Sequence, residues 1–372
     1  VSGGLEKTIV ERLEMDPTKI KNLKLTGNIT TDDYYFMRDK MTGLQRLNLK
    51  EIESVVNGVY AIPQEAFGEK TTLIKCIMPD KLERIEDLAF VGTSLTGTLQ
   101  LPEGLTFLSG FGNTKITNIH FPSTLEEIGD AAFESCNSLM SEMSFPESLK
   151  RIGSSAFSQS AISGNLILPH NLEHIEDNAF YNCQSLIGSL AIPNKVKVIS
   201  FQAFSACGFN GTLTLPEGLT EVGDYAFYSS DFKGELTIPE SVLAIGQSAF
   251  GGNKFNGNLI LPSELISLED SAFSGCWRLS GVIEIPENIV AIPPYLFYGC
   301  SLIEGVKLHK NIEVIGSYAF GDCFYLSSLI SEAKNPPTVD ATSFSGVAKD
   351  NFTLEVPEAS VNLYKNASNW SE

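Results

Sequence analysis

The feature that most constrains the fold is a motif that returns about every 23 residues. Residues 213–250 contain the pattern L-x-L/I-P-x-x-L-x-x-I/V-G-x-x-A-F twice. Alanine–phenylalanine pairs continue this phase, and their phenylalanines are Phe67, Phe90, Phe133, Phe157, Phe180, Phe204, Phe227, Phe250, Phe273 and Phe320. Weaker copies end at Phe111, Phe297 and Phe344. Since the thirteen copies are spaced by 21 to 24 residues, we predict a stack of similar coils.

One such coil cannot bury its own apolar face, whereas stacked coils share a continuous core. Leu213 and Leu215 alternate with polar residues, which predicts a short strand that ends at Pro216. Leu219 and Val222 point inward again, and a second short strand there is one interpretation. The predicted fold class is a mostly β repeat solenoid: a right-handed leucine-rich repeat solenoid of about 13 coils of 23 residues, with short parallel strands and helical caps.

The predicted domains are an N-terminal cap at residues 1–57, the solenoid at 58–345 and a C-terminal cap at 346–372. A solenoid needs caps because its end coils would otherwise expose the core. For the N-terminal cap we predict a helix over residues 2–16, a strand through Leu23 and Leu25, a helix over 34–41 and a strand through Leu44, Leu47 and Leu49. For the C-terminal cap we predict a strand before Pro357, followed by a short helix through Val361, Leu363, Tyr364, Ala367 and Trp370.

The string I-P-x-x-L-x-x-I-G-x-x-A-F-x-x-C-x-x-L resembles the BspA-like leucine-rich repeat family of bacterial surface proteins. The similarity covers roughly residues 20 to 372. It implies an extracellular or cell-surface location, and adhesion to host matrix proteins, other bacteria or glycans. The chain opens with VSGGLEKTIV, which has neither methionine nor a signal peptide, and we interpret it as a mature or trimmed form.

The formal net charge of −19 disfavours nucleic acid and anionic membranes as partners. The sequence contains no run of 18 apolar residues, so we predict no membrane-spanning helix. Six of the seven cysteines occupy one repeat position, three residues after the phenylalanine: Cys136, Cys183, Cys207, Cys276, Cys300 and Cys323. Serine, threonine or asparagine takes this position in other coils, so we expect buried thiols there. Disulfides between stacked coils and a metal or redox site are the alternatives.

No common hydrolase, zinc-protease or phosphate-binding motif occurs, and we predict neither an enzyme nor a cofactor or metal site. Acidic groups such as Glu126–Glu127 and Glu176–Asp177 fall at outward positions, where we expect a solvated acidic face rather than paired catalytic carboxylates. An enzyme on a β-solenoid is a remote alternative, and a self-associating surface scaffold is a closer one.

The outward face of the first strands is the predicted binding surface, because its side chains are small, polar and nearly neutral on an acidic protein. We expect a protein or glycan ligand there. Small residues that merely suit a crowded concave face are the alternative explanation. The candidate residues are Thr98, Gln100, Asn118, His120, Asn165, Ile167, Thr212, Thr214, Glu235, Thr237, Asn258 and Ile260.

Aromatic residues outside the core positions cluster in the C-terminal third of the chain. They are Trp277, Tyr295, Tyr298, Phe324 and Tyr325. Glycan or protein binding is one interpretation, and packing on the convex side is the other.

Overall fold

The structure, a computed structural model, describes residues 4–370. The chain forms a β-solenoid of about 14 turns of about 23 residues, built mainly from short parallel strands, which confirms the predicted fold class. It divides between Leu186 and Ile187 into two compact units. The domain boundaries at residues 57 and 345 stay a prediction.

Unit 1 contains one α-helix, α1 (Thr31–Asp39), and short strands. The strands are β1 (Asn22–Ile29), β2 (Arg46–Val56), β3 (Val59–Ile62), β4 (Lys75–Ile77), β5 (Arg84–Ile85), β6 (Thr96–Gln100), β7 (Phe107–Leu108), β8 (Lys115–His120), β9 (Glu127–Ile128), β10 (Arg151–Ile152), β11 (Gly164–Asn165) and β12 (His174–Ile175). The strand β13 (Leu186–Ile187) lies at the division between the units.

Unit 2 ends in a short helix, α2 (Val361–Asn366). Its strands are β14 (Leu190–Ala191), β15 (Val198–Ile199), β16 (Leu213–Thr214), β17 (Glu221–Val222), β18 (Lys233–Glu235), β19 (Ala244–Ile245), β20 (Lys254–Asn258), β21 (Ser267–Leu268), β22 (Leu279–Glu284), β23 (Ala291–Ile292), β24 (Leu302–Leu308), β25 (Val314–Ile315), β26 (Ser328–Ser331), β27 (Thr338–Val339) and β28 (Thr353–Glu355).

Each regular coil contributes to two parallel ladders. In unit 2 the first strands of the coils form β14-β16 and β18-β20-β22-β24-β26-β28, and the second strands form β15-β17-β19-β21 and β23-β25-β27. The second strands are only two residues long, and they confirm that the inward pair typified by Leu219 and Val222 ends in a strand. In unit 1 the ladder of second strands runs β3-β5-β7-β9-β10-β12.

The phenylalanines of the repeat form the core of both units. In unit 1 the rings from Phe67 to Phe180 stack with centroids 5.0–5.7 Å apart. In unit 2 the rings from Phe204 to Phe344 stack at 5.5–5.8 Å. Nearly parallel rings at this separation are in the preferred range for aromatic pairs. A second stack through Phe209, Phe232 and Phe255 was not expected from the repeat pattern.

The turn that carries each phenylalanine forms a third ladder between coils. Around Phe227, both Tyr225 and Ser229 adopt a left-handed backbone, with φ of 55° and 50°. The N–H of Tyr225 donates to Gln247 O at 2.7 Å, and the N–H of Phe227 donates to Ala249 O at 2.9 Å. A left-handed residue other than glycine costs about 1–2 kcal/mol, so the hydrogen bonds to the next coil offset that cost.

The small polar position after each phenylalanine has a hydrogen-bonding role that explains its composition. The thiols of Cys276, Cys300 and Cys323 donate to the phenylalanine carbonyl of the preceding coil at 3.1–3.2 Å. Ser230 and Asn253 make the same contact from their own coils. All six cysteines of this position are buried and none of them forms a disulfide, which confirms the buried thiols.

Burial also changes the chemistry of these thiols. Removal from solvent raises the pKa of Cys183 and of Cys276 to about 12. Since the thiolate is the reactive form, these cysteines are inert at neutral pH while the protein is folded.

The first helix differs from the prediction for residues 2–16. Ser2, the predicted start, lies outside the described residues. The helical backbone runs from Leu5 to Arg12 and is a π-helix from Lys7, whereas Pro17 begins a separate 3₁₀ turn. Leu13 is 57% exposed, so the predicted apolar face does not extend to it. A π-helix has more residues per turn than an α-helix, and this breaks the spacing of four residues.

The second helix begins earlier than predicted. Thr30 is its N-cap, and the carboxylate of Asp33 accepts the backbone N–H of Thr30 at 2.9 Å. Asp33 also accepts the N–H of Leu5 at 2.9 Å, which ties the first helix to α1. Leu44 precedes β2 instead of lying in it. The prediction also missed the hairpin between β2 and β3, where the two strands pair antiparallel through Val56 and Val59.

At the C-terminal end, β28 and α2 lie near the predicted strand and helix, although Ala367 and Trp370 fall beyond the helix. The hydroxyl of Tyr364 donates to Ala333 O at 3.0 Å and shares a hydrogen bond with Ser331 at 2.7 Å. The indole N–H of Trp370 donates to Pro337 O at 2.8 Å. These buried contacts fasten the closing segment to the preceding coil.

Candidate functional site

The predicted binding residues of unit 1 lie on exposed strand positions. In the parallel register of β6 and β8, Thr98 is beside Asn118 and Gln100 is beside His120. Three of these four side chains are exposed, and Asn118 is half-buried. The carboxamide oxygen of Asn118 accepts the N–H of Ile119 at 2.8 Å, whereas the other three make no side-chain hydrogen bond within residues 4–370.

Asn165 and Ile167 occupy the same face on a later coil of unit 1. Asn165 ends β11, and Ile167 forms an isolated parallel bridge with Ser144. Ile167 is 71% exposed, which is a large apolar surface to leave in water. The residues of unit 1 therefore include both free polar groups and an exposed apolar side chain.

A groove of about 520 Å³ adjoins this face where β4 and β6 do not pair. Its lining includes Thr98 and Gln100 together with Lys50 and Lys75. The two lysines outnumber Asp80 among the charged residues of the lining, so the groove is slightly basic on a protein with a net charge of −19. The groove can therefore receive polar or anionic groups of a ligand beside the strand face.

The predicted residues of unit 2 are all exposed: Thr212, Thr214, Glu235, Thr237, Asn258 and Ile260. Thr212 is engaged, because its hydroxyl contacts Ser189 Oγ at 3.1 Å. The side chains of Thr214, Glu235, Thr237 and Asn258 make no hydrogen bond to the described part of the chain. Ile260 is 66% exposed beside them.

The register of unit 2 corrects one neighbour relation that the repeat implies. Equal offsets from the proline place Glu235 beside Asn258. In the structure Glu235 pairs with Asn256, and Asn258 pairs with Ser280. A related irregularity occurs in the pairing of β22 with β24, whose register shifts by one residue after Gly281. Such bulges change which side chains are neighbours.

The exposed aromatic group belongs to unit 2. Trp277 is 45% exposed and lies under the Arg278 guanidinium, whose carbon is 4.6 Å from the ring centroid, and the other four residues form two parts. Tyr295 stacks on Tyr318 with centroids 5.1 Å apart, and Tyr298 meets both rings edge-on. Phe324 and Tyr325 are 56% and 66% exposed. The tyrosines therefore pack on one another, which supports the packing interpretation for them, whereas Phe324 and Tyr325 offer apolar surface to solvent.

The carboxylates considered for catalysis lie in a network of ion pairs. Glu126 pairs with Lys150 at 2.8 Å, while Arg151 contacts Glu127 at 2.7 Å and Glu176 at 3.1 Å. The sequence interpretation of a solvated acidic face omitted these basic partners. Neutralised carboxylates of this kind tie neighbouring coils together, and the arrangement does not resemble a catalytic pair.

A cavity of about 570 Å³ lies at the closing segment and is lined by Phe344, Phe352 and Trp370. Asp340 also lines it, but hydrogen bonds from Thr342 hold the pKa of the Asp340 carboxyl below its usual value. Among residues 4–370, no three His, Cys, Asp or Glu side chains come together as a metal-binding group. Within the same range, no helix has the length and apolar character to cross a membrane.

The sequence analysis missed the two lysines of the groove. Lys75 lies four residues before Pro79, which is the repeat position used to select the binding residues of later coils. Extending that position by one coil towards the N-terminus would have identified it. Lys50 had no such signal, because β2 precedes the regular repeats.

Solved structures of leucine-rich repeat proteins resemble the chain. A protein from Bacteroides ovatus is 20% identical, with 84% of this chain and 92% of that chain covered and a TM-score of 0.58. A protein from Eubacterium ventriosum is 16% identical, with 89% and 92% covered and a TM-score of 0.43. A cell surface protein from Faecalibacterium prausnitzii is 19% identical, with 84% and 83% covered and a TM-score of 0.41.

The first of these similarities shows the fold. No curated protein matches the chain. The family model of the BspA type leucine-rich repeat region matches in six copies, and the overlapping matched ranges together span residues 15–349: 15–110, 60–187, 108–233, 184–282 and 220–349. These matches cover most of the chain, so it belongs to the BspA-type leucine-rich repeat family.

Proposed function

We propose that the protein is a non-catalytic recognition protein that binds a protein or glycan ligand. The ligand would bind to the outward faces of the first strands of the coils, which we call the first-strand faces. The observation that carries this proposal is the row of exposed side chains with unused hydrogen-bonding capacity. Gln100 and His120 represent it in unit 1, and Thr214, Thr237 and Asn258 represent it in unit 2. Exposed faces of solenoid sheets are common binding surfaces.

The chemistry of the faces favours a polar ligand with some apolar surface. Hydroxyl, carboxamide and imidazole groups can both donate and accept hydrogen bonds. Ile167 and Ile260 supply apolar contact beside them. Extracellular matrix proteins and glycans present the same mixture of groups, and glycan rings also pack well on exposed aromatic side chains such as Tyr325.

We further propose that the protein works at the cell surface or outside the cell. Membership of the family supports this, because BspA-type leucine-rich repeat proteins are bacterial surface proteins. The acidic surface fits that location, since a high net charge keeps a protein soluble.

An array of host matrix proteins, bacterial surface components and glycans tests the proposal. We expect the purified chain to bind at least one component more strongly than an unrelated protein of similar negative charge does. Retention at high salt would show that the contact is not merely electrostatic, because salt screens exposed charges.

An empty array would contradict adhesion. Light scattering at micromolar concentration would then test the structural alternative, in which the protein assembles with itself. A strictly monomeric protein that binds no component of the array would contradict both roles.

A further inference from the structure

Three exposed aliphatic residues occupy one repeat position on consecutive coils of unit 2. Leu243, Ile266 and Val290 are 40%, 64% and 44% exposed. The N–H of Ile266 donates to Leu243 O at 2.9 Å, so these two side chains start from adjacent rungs of one ladder. We call the three residues the aliphatic stripe.

The stripe is a local departure from the repeat. The first and last coils have Tyr60 and Pro337 at the same position, whereas eight other coils carry a charged or polar residue there: Glu83, Thr106, Glu126, Lys150, Glu173, Lys197, Thr220 and Glu313. Isolated exposed aliphatic residues are common, but a contiguous group rimmed by polar residues indicates an interaction surface. The restriction of the stripe to three coils gives it defined ends, at Thr220 and Glu313.

Acidic residues run alongside the stripe. Glu240, Glu264 and Glu287 precede its members by two or three residues, and all three are exposed. No lysine or arginine among residues 4–370 forms an ion pair with any of them. In unit 1, by contrast, Glu126 pairs with Lys150. The carboxylates beside the stripe thus have no lysine or arginine partner in the described chain, although Glu240 accepts hydrogen bonds from Ser263, and Glu287 accepts one from Asn311 and lies 3.9 Å from His309 Nδ1.

We propose that the aliphatic stripe and its acidic border bind a basic amphipathic helix of a partner protein. Apolar residues of the helix would cover the stripe, and its lysines or arginines would pair with Glu240, Glu264 and Glu287. Charge complementarity selects this occupant over a second copy of the chain, since two chains of net charge −19 repel each other. This surface is separate from the first-strand faces and does not depend on the function proposed for them.

The spacing of the stripe fits a helix that runs across the coils. Paired strands are about 4.8 Å apart, which applies to Leu243 and Ile266 beside β19 and β21, whereas Val290 follows on the next coil, where β23 begins a separate ladder. Helix residues i, i+4 and i+7 lie on one face and span about 10.5 Å along the axis. Helices that dock through such anchors are a common mode of peptide recognition.

A synthetic probe tests this inference directly. The probe is a labelled peptide of about 14 residues that contains only leucine and lysine, with leucines at i, i+3, i+4 and i+7 to give an apolar helical face. Fluorescence anisotropy with the full chain measures its dissociation constant. A second peptide with the same composition in scrambled order has no apolar face, and we expect it to bind about tenfold more weakly.

Two isoleucines on the same coil give a matched pair of variants. Ile266 lies in the stripe and is 64% exposed, whereas Ile260 lies on the first-strand face and is 66% exposed. We expect Ile266→Ser to weaken binding of the amphipathic peptide about tenfold and Ile260→Ser to change it less than about twofold. The double variant Glu240→Gln/Glu264→Gln should weaken binding several-fold and reduce its dependence on salt.

Equal binding of the amphipathic peptide by Ile266→Ser and Ile260→Ser would overturn the inference, because general attraction between a basic peptide and an acidic protein would then explain the binding. Equal binding of the scrambled peptide would overturn it for the same reason. A dimer seen by light scattering that disappears in Ile266→Ser would also overturn it, by assigning the stripe to a second copy. Circular dichroism checks that each variant is folded. If Ile266→Ser does not fold, the double glutamine variant still tests the inference.

Discussion

Replacement of Phe204 by alanine is expected to lower the free energy of unfolding by about 3–5 kcal/mol. Phe204 is fully buried, stacks on Phe227 at 5.6 Å and meets Phe209 edge-on at 6.4 Å. Alanine would leave a cavity between rigid coils, which cannot close around it without breaking the hydrogen bonds of the turn ladder. Urea denaturation followed by circular dichroism measures the change.

Phe324→Ala is the matched control for Phe204→Ala. Its ring is 56% exposed, so we expect a change within about 0.5 kcal/mol. Equal effects of the two substitutions would show that the position of a phenylalanine in the repeat does not predict whether its ring is buried. A near-neutral Phe204→Ala would contradict the stacked core itself.

Asn253→Ala should be the next most damaging change, with an expected loss of about 2–4 kcal/mol in the free energy of unfolding. The Asn253 side chain is fully buried. Its amide donates to Phe227 O at 2.7 Å and to Phe250 O at 2.9 Å, and its oxygen accepts the N–H of Phe232 at 3.0 Å. Alanine would leave these buried backbone groups without that partner.

Asn253→Ser is the informative comparison for this position. The repeat itself uses serine here, since the Ser230 hydroxyl donates to Phe204 O. Serine at 253 should restore the contact with the Phe227 carbonyl but not the one with the Phe232 N–H, so we expect a smaller loss than for alanine. If serine and alanine are equally destabilising, the hydrogen bond is not the reason for the composition of this position. The same denaturation experiment decides between these outcomes.

The regular coils were predictable because each coil repeats the same sequence pattern and the same local structure. The phase of the alanine–phenylalanine pairs identifies the buried rings, and the alternation at Leu213 and Leu215 identifies the strand and its outward face. A pattern repeated thirteen times averages out local exceptions. The same pattern predicts that Thr214 and Thr237 are exposed, as the structure finds.

The irregular parts were less predictable because they depend on contacts between distant residues. The capping carboxylate of Asp33 also holds the N–H of Leu5, a contact that no local pattern encodes. The pairing of Glu235 with Asn256 is a local register of β18 and β20 that equal sequence offsets do not show. The groove beside Thr98 arises because two strands fail to pair.

Other features were visible in the sequence but needed a different comparison. The aliphatic stripe follows from reading one repeat position across all coils, where Leu243, Ile266 and Val290 replace charged or polar residues. The hydrogen-bonding role of the small position is hinted at by its choice of cysteine, serine, threonine and asparagine. The acceptor, a phenylalanine carbonyl one coil away, required the structure.

The central claim is that the first-strand face recognises a ligand. It is tested most directly by measuring how variants of this face bind the component that the array identifies. The double variant Thr214→Lys/Thr237→Lys places two long charged side chains on exposed positions of the unit 2 face. Thr338→Lys is the control, because Thr338 is exposed on β27, which is a second strand and lies outside the first-strand face. We predict that the double variant binds at least about tenfold more weakly and that the control binds like the unchanged chain. Equal binding by all three proteins would contradict recognition through the first-strand face of unit 2.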